Sequence, residues 1–253
     1  MVLDNFEEYD DPVLYDKENE FYIPELPFLL KWASKKKGTI IDLACGTGRV
    51  TIPMSQNGYT LIGVDIHKGM LKEAKNKSTN LDLPIEWIEQ DGTQLNLNVK
   101  SSFIYSVGNS FQHFLTNEAQ DQFLSSVNNH LEHDGVFIFG TRFPSVEELL
   151  QPSKEEYWKT YTDSDALTVD VYTISDYDSL TQIQHYTTIR KYRNADGKVN
   201  EKRTHINLRY VFPKEMERIL SINGFEVLHL YSNWEESPIT QNSTEMVYVC
   251  KKI

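Results

Sequence analysis

Ile40-Ile41-Asp42-Leu43-Ala44-Cys45-Gly46-Thr47-Gly48-Arg49 decides the fold. An apolar run breaks into a glycine loop, and a helix from about Arg49 to Gln56 follows. A second apolar run, Tyr59-Thr60-Leu61-Ile62-Gly63-Val64, ends on Asp65, nineteen residues past Gly46. A strand, a Gly-x-Gly turn, a helix and a second strand ending in a carboxylate describe a ribose-binding βαβ unit. The glycines let the backbone approach a ligand, because a Cβ at Gly46 or Gly48 would fill that space. Asp65, at the tip of the second strand, can accept hydrogen bonds from two vicinal ribose hydroxyls. The ligand expected here contains adenosine.

Two details argue against a dinucleotide. A pyrophosphate-binding turn usually reads G-x-G-x-x-G, and the third position here is Thr51. Asp42 also puts an acid in the first strand just before the loop, where it disfavours an anion and suits a sulfonium or ammonium. The segment Asp42-Leu43-Ala44-Cys45-Gly46-Thr47-Gly48 resembles the first motif of class I methyltransferases that use S-adenosylmethionine (SAM). The resemblance runs from Tyr9 to Cys250. It is strongest to a bacterial small-molecule branch beginning Tyr-Asp-Asp-Pro-x-x-Tyr-Asp, matched by Tyr9-Asp10-Asp11-Pro12-Val13-Leu14-Tyr15-Asp16. Asn109-Ser110-Phe111-Gln112-His113-Phe114-Leu115-Thr116 matches the same branch after the fourth strand. The architecture is similar to that of deoxyamino-sugar N,N-dimethyltransferases and, more remotely, of glycine N-methyltransferase.

The remaining elements fit this frame. A helix is expected from about Pro24 to Lys36, and strands at 39–44, 60–65, 85–89, 103–107 and 136–140. Helices at about 68–76 and 117–131 alternate with them, which implies a doubly wound parallel sheet, Rossmann-like in class. Ligands of such sheets bind at the carboxyl ends of the strands near the switch point, where Gly46, Asp65, Asp91 and Asn109 all fall. Residues 167–175, 181–193 and 202–211 then alternate apolar with polar, which signals a small antiparallel β insertion after the fifth strand. A helix at 213–222 and strands Phe225–Tyr231 and Met246–Cys250 close the chain. The expected organisation is a lid and helix over 1–37, a SAM-binding core over 38–144, the insertion over 145–211 and core-completing elements over 212–253. The lid expectation comes from Phe6, Tyr9, Tyr15, Phe21 and Tyr22 interleaved with acids, too aromatic for a disordered tail.

Carried over by position, the resemblance implies the following roles. Ala44, Gly46 and Gly48 line the methionine part of SAM, with Val107 and Gly108 bordering it. Asp65 takes the ribose hydroxyls, Ile66 and Met70 contact adenine, and Asp91 accepts from the adenine amino group with Gln90 and Gly92 beside it. Tyr15 reaches the cofactor carboxylate or the methyl-transfer pocket, and Phe111 and His113 face the acceptor. Five of these positions have a second reading: Asp65 and Asp91 also suit ordinary strand-end turn acids, although both falling at the switch edge argues against it. Met70 and Phe111 also suit plain core, and His113 suits a hydrogen-bonded structural role as well as that of a base. Tyr15 and His113 are the candidate catalytic residues.

Composition bounds the alternatives. The 253 residues carry a net charge of −12, which opposes binding to a phosphate backbone. Arg190, Lys191, Arg193, Lys198, Lys202 and Arg203 flank an Asn194–Gly197 turn and read as solvated hairpin charges. Gly108-Asn109-Ser110-Phe111 replaces the Asn/Asp-Pro-Pro-Tyr/Phe turn of enzymes that methylate nucleobase amines, again disfavouring nucleic acid. Cys45 and Cys250 read as buried thiols of a reducing compartment, and the start lacks a leader pattern, so a cytoplasmic protein is expected, as monomer or homodimer, with no membrane partner. His130 and His133 lack further ligands at metal spacing, so no metal is expected. The reading is a SAM-dependent methyltransferase of a small molecule, nitrogen favoured over oxygen. The alternatives are a non-catalytic SAM-binding sensor or assembly protein and, behind it, an NAD-dependent oxidoreductase without a well-placed Tyr-x-x-x-Lys pair.

Overall fold

The computed structural model describes residues 3–19, 22–162, 167–193 and 197–253. A 3-10 turn, Leu3–Tyr9, precedes helices α1 (Pro12–Asn19) and α2 (Glu25–Ala33). The alternating region follows as β1 (Ile40–Leu43), α3 (Thr51–Gln56), β2 (Leu61–Asp65), α4 (Lys68–Ser78), β3 (Ile85–Glu89), β4 (Ser101–Ser106), α5 (Asn117–His130) and β5 (Leu131–Arg142). Then come α6 (Val146–Leu149), β6 (Glu156–Thr162), β7 (Thr168–Asp178), β8 (Ile183–Arg193), β9 (Val199–Arg209), α7 (Pro213–Ile222), β10 (Phe225–Tyr231) and β11 (Glu245–Lys252).

Seven strands form one sheet in the order β10-β11-β5-β4-β1-β2-β3, and four form a second, β6-β7-β8-β9. In the first sheet β1 through β5 run parallel, and β11 lies antiparallel between β5 and β10. This is the class I methyltransferase fold, with the antiparallel insertion that the sequence pattern predicts.

Both faces of the large sheet are covered, and alternation along each strand sends neighbours to opposite cores. Ile40, Leu61 and Phe103 pack with Phe28, Leu29 and Ala33 of α2, while Ile41, Ile62 and Ile104 pack with Phe123, Leu124 and Val127 of α5. The direction of winding changes between β1 and β4, so their carboxyl ends diverge and open a crevice there.

Three details depart from the sequence expectation. β6 is an additional edge strand; its residues are mostly exposed, with Tyr157 and Trp158 on the surface, so it lacks an apolar face to announce it. β5 starts at Leu131, and residues 132–135 bulge outward where its pairing with β4 shifts register. The third departure is Arg190. It is 2% exposed and bridges Glu8 at 2.7 Å and Glu18 at 2.9 Å, so it is a buried tie between β8 and the N-terminal segment. The turn residues 194–196 lie outside the described residues. No helix among the described residues is long and apolar enough to cross a membrane.

Candidate functional site

The loop after β1 is shaped by backbone that only small residues tolerate. Ala44, Gly46 and Gly48 all have positive φ, at 58°, 57° and 77°. A Cβ on Gly46 would lie 3.3 Å from the Met70 methyl, at the floor of a cavity. Gly48 has another duty: its Cβ would come within 2.6 Å of the Trp87 ring, so this glycine lets the loop pack on β3.

The cavity lies at the crevice between β1 and β4 and spans about 1060 Å3 when the open solvent at its mouth is counted. Ala44, Gly46, Asp65, Ile66, Met70, Gln90, Gly92, Val107 and Gly108 line it, and Tyr15 and His113 close it from above. Asp65 is held from both sides: Oδ2 accepts from Gly46 N at 2.8 Å and Oδ1 from His67 N at 2.7 Å. Burial raises its pKa, and those backbone donors oppose the rise. Asp42 lies deeper. Its Oδ2 accepts from the Thr51 hydroxyl at 2.6 Å while Oδ1 has no partner among the described residues, and burial lifts its pKa to about 7.

Three expected residues do not line this cavity. Gly48 faces Trp87. Asp91 turns its Oδ1 to Thr93, accepting from both N and Oγ1 at 2.9 Å, and so caps the 3-10 turn Gly92–Gln94. Phe111 is 1% exposed and packs on Phe114, Phe123 and Phe139, which makes it core.

His113 is a fixed neutral ring. Asn5 bonds the Asn207 backbone twice: its Oδ1 accepts from Asn207 N at 2.7 Å, and its Nδ2 donates to Asn207 O at 2.8 Å. That orientation points the second amide hydrogen at His113 Nδ1, 3.0 Å away. Nδ1 therefore accepts, and the proton of the neutral ring sits on Nε2, where it donates to the Tyr9 hydroxyl at 3.1 Å. Burial depresses the His113 pKa to about 4. Both nitrogens are committed, so this histidine orients Tyr9 and is poorly placed to act as a base.

The N-terminal segment builds much of the wall. Asn5, Phe6, Tyr9 and Tyr15 line the cavity, and the segment is anchored by Asp16, which accepts from the Thr47 hydroxyl and from Lys77 Nζ. Sequence reading placed Phe6, Tyr9 and Tyr15 in a covering segment but named only Tyr15 as a site residue, and it missed Asn5. It also missed Arg49, whose guanidinium lines the cavity and donates to Glu25 at 2.7 and 3.1 Å.

A second, larger cavity of about 2210 Å3 adjoins the first. Its wall draws on the N-terminal segment, the end of β5, α6 and strands β6 to β9, including Glu8, Glu18, Arg142, Glu148, Tyr186 and Arg190. Glu148 Oε1 accepts from Arg142 at 2.5 Å, Tyr186 at 2.7 Å and Tyr210 at 2.5 Å, knitting the two sheets together. Tyr9, Tyr15, Arg49, Gly108 and His113 line both cavities.

Residues 40–135 match a family described as "Methyltransferase domain". The chain is 23% identical over 239 residues to the glycine/sarcosine N-methyltransferase of Aphanothece halophytica, covering 93% of this chain and 82% of that one. It superposes with a TM-score of 0.79 on a SAM-dependent methyltransferase from Clostridium acetobutylicum ATCC 824, at 22% identity and 95% and 96% coverage. A SAM-bound amino pentose methyltransferase from Micromonospora echinaspora, involved in calicheamicin biosynthesis, gives 0.74 at 13% identity and 95% and 97% coverage. Of these two structures, one is described as SAM-dependent and the other holds SAM. The first cavity suits it: a glycine-floored loop, a carboxylate at the β2 tip, and an acid, Asp42, beneath the place of a cation.

Proposed function

We propose that this chain transfers the methyl group of SAM to a nitrogen of a small-molecule acceptor held in the second cavity. The observation that carries the reading is the wall shared by the two cavities. A methyl donor in one and an acceptor in the other would meet between Tyr9, Tyr15, Gly108 and His113.

SAM, when bound, supplies an electrophilic methyl group on a sulfonium that departs as a neutral thioether. In this reading Asp65 holds the ribose hydroxyls, Ile66 and Met70 flank the adenine with Gln90 and Gly92, and Ala44, Gly46, Val107 and Gly108 border the methionine portion. Arg49 and Tyr15 stand at its carboxylate end. The protein's task is then to align the nucleophile and exclude water, and orientation alone is worth ~7–11 kcal/mol in the best intramolecular reactions. Tyr9 stays protonated, because burial raises its pKa well above the usual phenol range, and His113 fixes its hydroxyl at the junction.

Nitrogen is favoured by the charge around the acceptor. Glu8, Glu18, Glu25, Glu148, Glu156 and Glu245 line the second cavity against Arg49, Arg142 and Arg190, an excess of carboxylates that attracts an ammonium. An oxygen nucleophile would need a strong base, and His113 is committed elsewhere.

Methyl-labelled SAM incubated with amino sugars, amino acids and phenols tests the reading. Label should appear on an amine, with NAD(H) having no effect. Transfer confined to phenols would overturn the nitrogen assignment, and absence of SAM binding by calorimetry would overturn the whole.

A further inference from the structure

We propose that Glu245 receives the acceptor's ammonium group and takes its proton before the nitrogen attacks. The proposal rests on the amine reading above and adds the residue that prepares the nucleophile.

Six glutamates line the second cavity, and their partners separate them. Glu8 and Glu18 bind Arg190, Glu25 binds Arg49, and Glu148 binds Arg142. Glu156 is exposed at the rim. Glu245 is half-buried and, among the described residues, has no cation within ion-pair distance. Its Oε1 accepts from a neutral donor, the Trp234 indole Nε1, at 2.8 Å.

Strand register puts this carboxyl near the border of the cofactor cavity. Glu245 opens β11 opposite Arg142, and its Oε1 lies 3.2 Å from where a Gly140 Cβ would be. Ser106 pairs with Phe139, so Gly140 lies level with Val107, which borders the cofactor cavity. Adjacent strands are ~4.8 Å apart, so the carboxyl stands about one strand spacing to the side of that border.

The charges facing Glu245 suit a proton acceptor. Glu25, on α2, opposes its ionisation, and Arg142, on β5, favours it. Arg49 lies behind Glu25 and is neutralised by it. Burial is the larger influence and sets the carboxyl at about 7, where it is half ionised at neutral pH. An arriving ammonium completes the missing ion pair. The carboxylate then takes one N–H proton, leaving a neutral amine. Its lone pair forms the N–CH3 bond as the C–S bond breaks and that electron pair passes to sulfur. The product nitrogen carries the positive charge the sulfonium had.

The Trp234 indole resonance reports on this carboxyl directly. In protein labelled with 15N-tryptophan it should titrate with a midpoint near pH 7, and ethylammonium chloride should shift it and lower the midpoint, while sodium chloride at equal strength should not. Glu245→Gln, which can still accept from the indole, should make the resonance flat. A titration that survives in Glu245→Gln, or no response to ethylammonium, overturns the proposal. With an amine found by the methyl-label panel, Glu245→Gln should lower kcat by roughly 100-fold or more and abolish the acid limb near pH 7, with SAM affinity kept within about twofold. Unchanged kcat and pH profile overturn it as well. Failure of the wild-type protein to methylate any amine would instead count against the methyltransferase reading, since the indole titration needs no turnover.

Discussion

The two cavities are built by different means. The floor of the first is set by backbone: three positive-φ residues in one loop, and the amides of Gly46 and His67 that hold the strand-end carboxylate of Asp65, with Asn5, Phe6, Tyr9 and Tyr15 walling it above. The second is made of long charged side chains gathered from positions as distant as Glu8 and Glu245. Backbone geometry recognises a feature common to many ligands, whereas a side-chain wall can be refitted without disturbing the fold. The contrast teaches that one half of this molecule is a fixed socket and the other an adaptable one.

The most forceful way to break that contrast is to cut the tie between N-terminal segment and inserted sheet. Arg190→Met leaves Glu8 and Glu18, at 18% and 5% side-chain exposure, without their cation. Loss of one partner of a buried ion pair costs about 3–5 kcal/mol, and urea unfolding should register it. If stability is unchanged, the side-chain wall is far more tolerant than its burial implies.

Acid offers a second route. The folded pKa of His113, about 4, lies below the ordinary value of 6.5, so folding favours the neutral ring. Its contribution is fully present above pH 6.5 and is lost as pH falls toward 4. At about 1.36 kcal/mol per unit, the loss reaches up to roughly 3 kcal/mol. His113→Gln should flatten that portion of the stability profile, as denaturant titrations at pH 7 and pH 4.5 would reveal. An equally steep acid loss in the variant would place the titrating group elsewhere.

The socket itself is sharpened by Asp65→Ala. It should weaken SAM binding by about 1–3 kcal/mol, the cost of leaving buried polar groups unpaired, as calorimetry would measure. Affinity unchanged would remove Asp65 from the ribose.

The smallest effect concerns the segment that both halves share. Hydrogen exchange of residues 9–19 should slow several-fold when SAM is added, because ligand contacts would add to the ties that Asp16 and Glu18 already make. Equal protection in both states would make the segment permanent structure and not a lid.

What could be read in the sequence follows the same division. β2, β3, α7 and β10 were bounded within a residue: β2 is a buried apolar run, and turn residues bracket the others, Pro84 and Asp91-Gly92 around β3, Pro213 and Asn223-Gly224 around α7 and ahead of β10. The loop around Gly46 and the carboxylate of Asp65 were legible because a local backbone conformation restricts residue type. Gly48 was assigned to the ligand although it serves Trp87, since a glycine required by packing looks the same as one required by a cofactor. Phe111 kept two readings, of which the structure shows the core one, and Arg190 was misread, for a related reason: an aromatic or a cation declares its chemistry in sequence but not its partners. Glu245 gave no sign, because its role depends on which other carboxylates have already been neutralised.

Tyr9 and Tyr15 belong to the walls of both chambers, and this has a thermodynamic consequence. A ligand that settles these rings in one chamber alters the surface offered in the other, so the two affinities are linked. Linkage is reciprocal: whatever factor SAM applies to acceptor affinity, the acceptor must apply to SAM affinity. Measuring acceptor binding with and without S-adenosylhomocysteine, and the reverse, should therefore give one coupling constant from two independent directions.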